Sequence, residues 1–421
     1  MKPKYKFPKK FLWGASTSAH QVEGGNHNQW SVWELKNARS LANQAKYQLK
    51  DLPIWPEIKN EATNPSNYVS GRAIDHYHRY EDDFDLLVAL NMNSFRFSIE
   101  WSRIEPREGE WNEAEIEHYR DYLKALQVRG IEPLVTMFHW TMPVWFDEMG
   151  GFEKHRNIRY FVRFCEKVFD ELGDLFRYVC TFNEPEVYVA FGWLHEGEWP
   201  PSKKGQYLLG YWTYRNISSA HNLVYRMVHK KVPHLRLATT KNVAHHYLGD
   251  NKLSSRLSRW FTMYMEDYLY FNRIKRHMDW MGVNYYFSNR YLAGNVHNEN
   301  DHIQDLGWEM KPDDLEHVLE RLYRKYRKPI MITECGVADR NDQYRKWWIA
   351  HTINAVHNAI HNGVKVQGYC HWSLLDNFEW AYGKWPRFGL VAVDYRTMER
   401  TPRSSALWFG KVIKNLRRSA S

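Results

Sequence analysis

Short apolar runs alternate along the chain with longer segments whose apolar positions recur every three or four residues. "KFLWGAS" (10–16) reads as a strand. After it, 75–91 has helical spacing and "SFRFSI" (94–99) is a strand. Residues 113–130 form a helical pattern closed by Gly130, a usual C-terminal stop, and feed "IEPLVTMFHW" (131–140). The same cycle gives helix 157–174 with strand "FRYVCTFNEP" (176–185), helix 216–231 with "RLATTKNVAHH" (236–246), and helix 258–276 with "DWMGVNYY" (279–286). Two more rounds pair helix 312–326 with "KPIMITECG" (328–336) and helix 341–361 with "VQGYCHWSLLD" (366–376), before a last helix over 403–417. Eight strands separated by helices predict an α/β fold, a closed (β/α)8 TIM barrel. No glycine-rich phosphate turn follows a strand as an open doubly wound sheet would have it. No linker or repeat divides the chain, so it reads as a single domain over 1–421 with its core at about 10–417. The segments 34–72, 192–214 and 286–311 read as loops at a barrel rim, and the basic decapeptide 1–10 as a disordered arm.

Composition sharpens this little. Hydrophobic residues make up 43% of the 421, enough for a large core, and aromatics reach 16%, with 20 Trp and 27 Tyr. Such an excess suits a groove for sugars or apolar ligands. The formal charge of +9 is dispersed, without a base-reading helix or zinc-finger spacing, so no nucleic-acid partner is expected. Cys165, Cys180, Cys335 and Cys370 are far apart and match no metal pattern; three lie within or beside apolar runs and read as reduced core residues, and neither metal nor organic cofactor is implied. No secretion signal and no membrane-length apolar run is present, which predicts a cytoplasmic protein without a membrane partner. Self-association into a homo-oligomer is left open.

In a barrel of this kind chemistry belongs at the C-terminal ends of the strands. Polar residues gather there: Gln21 and Glu23, Arg96 and Glu100, His139 and Trp140, Asn183 and Glu184, Asn284 and Tyr286, Glu334, and Trp372 with Asp376. Glu184 in "CTFNEPEVY" and Glu334 in "PIMITECG" end the fourth and seventh strands, from which they could face each other across the mouth. Paired carboxyl groups are what cleavage of a glycosidic bond needs: one protonated for the leaving oxygen, one ionised to attack the anomeric carbon or activate water. Arg96 and Tyr286 are placed to keep Glu334 charged, while an apolar strand and a facing like charge would raise the pKa of Glu184.

The motifs "FLWGASTSAHQVEG", "DHYHRYEDD", "FRFSIEWSRIEP", "TFNEP", "GVNYY", "ITECG", "WSLLDNFEW" and "RFGLVAVDY", all in order from about residue 10 to 410, resemble glycoside hydrolase family 1. That resemblance implies a retaining β-glycosidase, β-D-glucosidase first and β-galactosidase or β-fucosidase next, acting on small or oligosaccharide β-glycosides. It implies Glu184 as general acid/base, Glu334 as nucleophile, and Arg96, Asn183 and Tyr286 as their support. Asn183 matches the residue that binds the sugar 2-hydroxyl. Gln21, His139, Trp140, Glu379 and Trp380 match residues around the remaining hydroxyls, and Trp372 the platform beneath the ring. Glu379 stands where the phospho-sugar branch of the family has a small polar residue, and a carboxylate would repel a 6-phosphate, so unphosphorylated substrates are expected. The alternative is an inactive barrel that only binds sugar.

Four departures stand out. Cys335 follows the expected nucleophile where asparagine is usual, which introduces an oxidisable thiol. Glu186 replaces a frequent tryptophan, predicting a more negative and less stacked aglycone side. Thr141 stands where aspartate is frequent. The stretch "GEWPPSKKG" (197–205) is archaeal in type, and the short chain predicts trimmed rim loops and an open pocket.

Overall fold

The computed structural model describes residues 6–194 and 199–420. Eight parallel strands close into a barrel: β1 (Leu12–Ser16), β2 (Ser94–Ser98), β3 (Glu132–Thr136), β4 (Tyr178–Asn183), β5 (Arg236–Asn242), β6 (Met281–Tyr285), β7 (Ile330–Cys335) and β8 (Val366–Trp372). Each strand pairs with its neighbours in sequence, and β8 pairs with β1. The predicted α/β barrel is therefore the observed fold.

Alternation along each strand sorts the side chains. On β2, Phe95 and Phe97 enter the apolar layer between barrel and helices, so Arg96 lies between them on the inner face. Leu134, Cys180, Ala238, Met331 and Cys370, with Trp280, fill the barrel interior. Above this plug the interior turns polar.

Two register shifts bear on what the barrel presents. Between Cys180 and Asn183 the pairing of β4 with β5 slips. Thr181 there bonds His221 of the surrounding helix at 2.6 Å, and Phe182 packs on Phe161 at 4.5 Å between ring centroids. Both face outward, and the extra residue brings Asn183 inward. A matching shift between Ile332 and Glu334 separates β7 from β6, leaving Thr333 and Glu334 inside while Cys335 joins the outer layer.

The helices explain themselves largely by amphipathicity. In Ile158–Leu172 the buried residues include Phe161, Phe164, Cys165, Val168, Phe169 and Leu172, one stripe at helical spacing. The segment 34–72 departs from its reading as a loop: Gln29–Gln48 and Trp55–Ala62 are helices. Asn28 starts the first with a capping box, accepting from Ser31 N at 2.9 Å while its own N–H reaches Ser31 Oγ at 3.0 Å. Beyond Trp30 its buried positions are Glu34 and the alanines Ala38, Ala42 and Ala45, which do not register as an apolar stripe. The segment 286–311 likewise holds strand Ser288–Leu292, and helix Tyr207–Lys231 begins inside 192–214, of which 195–198 lie outside the described residues, as do the first two residues of "GEWPPSKKG". Residues 1–5 of the basic decapeptide also lie outside them. Phe7 is buried, 5.0 Å from Phe11 and 4.9 Å from Trp13 between ring centroids, so this part of the expected arm belongs to the core. Among the described residues no helix is long and apolar enough to cross a membrane.

Candidate active site

At the C-terminal ends of the strands lies a cavity of about 210 Å³ lined by His139, Trp140, Glu184, Tyr286, Glu334, Trp372, Glu379 and Trp380. Its outer wall is Val187, Phe191, Trp199, Phe287, Trp308 and Phe388. A larger depression, about 890 Å³, opens at the opposite end among Leu12, Glu132, Tyr178 and Arg236. In this architecture that end contributes stability rather than chemistry. The upper cavity is small against the roughly 300–1,000 Å³ of small-molecule sites.

Glu334 is held from two sides. Arg96, fully buried, donates through Nη1 to Oε1, and Tyr286 OH donates to Oε2 at 2.6 Å. The second guanidinium nitrogen, Nη2, donates to Asn183 Oδ1 at 2.7 Å, so one arginine fixes Glu334 and Asn183 together. Burial and the facing Glu334 and Glu184 push the Tyr286 hydroxyl well above its ordinary range, so it keeps the proton it donates.

Glu184 stands in a different environment. Its backbone is in the left-handed region, φ 41° and ψ 62°, a strained conformation for a non-glycine residue. Its N–H is anchored to Thr240 O at 2.8 Å, and Pro185 starts the next helix, Pro185–Trp193. Oε1 accepts from Asn284 Nδ2 at 2.7 Å, while Oε2 has no hydrogen-bond partner among the described residues. Burial, with the negative charges of Glu334 and Glu186, drives this carboxyl well above the usual range, against the opposing bond from Asn284. The arrangement therefore holds one carboxyl clamped by a cation and a phenol beside another driven to retain its proton.

Around the pair, Asn183 Nδ2 meets His139 Nε2 at 3.1 Å. Burial and Arg96 push His139 well below the ordinary imidazole range, so the ring is neutral and accepts at Nε2. Its buried Nδ1 has no hydrogen-bond partner among the described residues. Trp140 presents its ring to the cavity, but its indole N–H is committed to Asn183 O at 2.9 Å. Trp380 stacks on His139 with ring centroids 6.0 Å apart. Gln21 is set one layer back: it donates to Phe378 O at 2.7 Å and Glu379 Oε2 at 3.4 Å. Burial and Glu334 push Glu379 up to about 8.

Other residues of the polar ring serve elsewhere. Glu23 is bound by Arg103 at 2.9 Å and Tyr119 at 2.7 Å, Asp376 by Arg403 at 2.8 Å, and Glu100 by Thr141 at 2.8 Å. The Thr141 hydroxyl thus serves Glu100. Glu186 overturns its expectation: its carboxylate pairs with the fully buried Lys241 at 2.7 Å and accepts from Asn242 N at 2.7 Å, outside the cavity wall. The outer wall of the cavity is aromatic instead, with Phe191 stacked on Trp199 at 4.6 Å. Cys335 is not an exposed oxidisable thiol, because it is buried on the outer side of β7 and burial pushes it up to about 12. All four cysteines are buried and free. Asn284 is the residue whose role sequence reasoning missed; "GVNYY" placed it at a strand end without a partner. Two trios of possible metal ligands occur among the described residues, and neither lines this cavity.

Known proteins resemble this chain over nearly its whole length. The chain is 29% identical to beta-glucosidase A of Acetivibrio thermocellus over 98% of this chain and 99% of that protein. It is 30% identical to beta-glucosidase 42 of Arabidopsis thaliana over 97% and 94%. A beta-glycosidase from Pyrococcus horikoshii superimposes with TM-score 0.85 at 32% identity, covering 99% and 98% of the two chains. The beta-glucosidase of Thermotoga maritima, solved with glucoimidazole, does so with TM-score 0.86 at 26% identity, covering 98% and 99%. The profile of glycosyl hydrolase family 1 matches residues 3–259 and 260–417, and with the barrel and its two differently held carboxyl groups this makes the chain a member of that family.

Proposed function

We propose that this family 1 enzyme is a retaining β-glycosidase that hydrolyses terminal unphosphorylated β-D-glycosides, β-D-glucosides foremost, with Glu334 as nucleophile and Glu184 as acid and then base. The observation that carries the reading is the contrast between the two carboxyl groups in one cavity. Glu334 accepts from Arg96 at one oxygen and from Tyr286 at the other, whereas Glu184 is driven to stay protonated, with Oε2 unengaged among the described residues.

Glu334 attacks the anomeric carbon as the bond to the leaving oxygen breaks, and that oxygen takes the proton of Glu184. The products of this step are the free aglycone and a glycosyl ester on Glu334. Glu184, now an anion, takes a proton from water as the water oxygen attacks the same carbon, and the second inversion restores the starting configuration. Asn183 is pinned by Arg96 for the 2-hydroxyl, where a bond strengthens as positive charge develops on the ring. His139 Nδ1 offers a donor with no partner among the described residues, Trp372 supplies the platform, and Glu379, positioned by Gln21, serves the far hydroxyls.

Phosphorylated sugars are disfavoured by the make-up of the wall rather than by a charge on Glu379, which holds its proton up to about pH 8. Among the described residues the cavity wall contains three carboxyl groups and neither lysine nor arginine, so a phosphate would be buried there without a counter-ion. The inactive-barrel alternative is disfavoured by the presence and environment of both glutamates. The free thiols fit a reducing, cytoplasmic setting.

The test is aryl-glycoside cleavage across β-glucoside, β-galactoside, β-fucoside, β-mannoside and 6-phospho-β-glucoside, with the anomer first released followed by NMR. Release of the β-anomer from unphosphorylated sugars, lost in Glu334→Ala, is the expected result. Release of the α-anomer, or turnover that survives in Glu334→Ala, refutes the mechanism.

A further inference from the structure

Away from the cavity, three side chains from three segments converge. His245 opens the short strand His245–Leu248, which follows β5 at the rim. Asp314 closes the turn Pro312–Asp314, and His317 lies three residues on, in helix Leu315–Tyr326. One ligand atom from each residue lies within 4.8 Å of the other two. None of the three lines the cavity already described.

The carboxylate is oriented from behind. Ser288, the parallel partner of His245 in the neighbouring rim strand, donates to Asp314 Oδ2 at 2.7 Å, leaving Oδ1 without a hydrogen-bond partner among the described residues. Tyr247 lies parallel to the His245 ring at 5.6 Å and 12°, and the two imidazoles stand 4.9 Å apart, tilted by 36°. No described residue hydrogen-bonds a ring nitrogen of His245 or His317. The nearest cation along the helix, Arg321, is turned to Asp267 at 2.6 Å and to Ala244 O at 2.9 Å. His245 and Asp314 are half-buried and His317 is exposed, so solvent reaches the trio from one side.

We propose that His245, Asp314 and His317 bind one divalent first-row transition-metal ion. Two imidazole nitrogens and one carboxylate oxygen are the donor set of zinc, with cobalt as its spectroscopic substitute; calcium and magnesium favour all-oxygen sites. Water completes the coordination from the exposed side. Ser288 is the outer partner that fixes the carboxylate, as such partners do in metal sites. The ion ties the rim strand that follows β5 to the helix that precedes β7.

The experiment uses the untagged full chain after chelator treatment, titrated with zinc chloride by calorimetry and with cobalt by visible absorption. His317→Ala, at an exposed position, and Asp314→Asn, which retains an acceptor for Ser288, are run beside it. One zinc per chain, a cobalt spectrum of nitrogen and oxygen ligation, and affinity weakened about tenfold or more in both variants support the site. Absence of saturable zinc binding, affinity equal to the parent in either variant, or calcium binding as tight as zinc overturns it.

Discussion

Asn284 donates to Glu184 Oε1 at 2.7 Å while its own amide oxygen accepts from Thr333 Oγ1 at 2.8 Å, the residue next to Glu334. The acid is thereby positioned from the strand that carries the nucleophile, and the bond leaves Oε2 as the oxygen for the transferable proton. Asn284→Ala should lower kcat/KM by about 10- to 1,000-fold, within the range a positioned general acid contributes. Because that bond favours the ionised acid, its loss should also move the basic limb of the pH profile upward. A pH profile of the variant that keeps the parent's basic limb would refute this role.

Glu334 separates chemistry from stability. Glu334→Ala and Glu334→Gln should both lose activity by about 10⁴-fold or more. They should differ in stability, since alanine leaves the buried Arg96 and Tyr286 without any acceptor, at about 3–5 kcal/mol, while glutamine, though neutral, keeps its amide oxygen for Arg96 and sets its NH2 against the Tyr286 hydroxyl, which turns to accept. Thermal melting checks this; equal melting temperatures for the two variants would contradict it.

Glu186 acts on Glu184 through space. Its charge helps raise the acid, so Glu186→Gln should move the basic limb of kcat/KM to lower pH. The lysine left unpaired acts in the same direction and destabilises the fold by up to about 3–5 kcal/mol. The double variant Glu186→Gln/Lys241→Met should recover stability and keep the shifted limb. A limb unmoved in both variants would show that Glu186 serves packing alone.

Glu379 binds its proton more tightly in the fold than in the unfolded chain, with a pKa raised from 4.5 to about 8. Its contribution to stability is fully present below 4.5 and is lost as pH rises through about 8. Glu379→Gln does not titrate. The variant should therefore gain on the parent as pH rises across that window, by an amount on the order of a few kcal/mol, while losing turnover. Urea midpoints at about pH 5 and about pH 8 measure it, and a difference independent of pH would exclude it.

Much of the fold was legible because the strands are short apolar runs and most helices bury large side chains at helical spacing. The helix Gln29–Gln48 was not, because from residue 34 onward its buried positions are Glu34 and three alanines. The residues now brought together around Glu184 and Glu334 were readable as strand-end polar positions and as family motifs. Sequence held no signal for direction: Glu186 turns to Lys241 and Cys335 faces outward, and each follows from which side of the backbone a neighbour occupies. Asn284 lay in view without its partner, because its bond crosses from β6 to β4.

The register slips in β4 and β7 have a consequence for anyone rebuilding this barrel. A redesign with ideal, evenly paired strands would keep every amino acid named above and yet rotate side chains beyond each slip to the opposite face. Asn183 would turn toward the helices and lose Arg96. The two irregularities therefore have to be transplanted as backbone, together with the residues that flank them, before any choice of side chain matters.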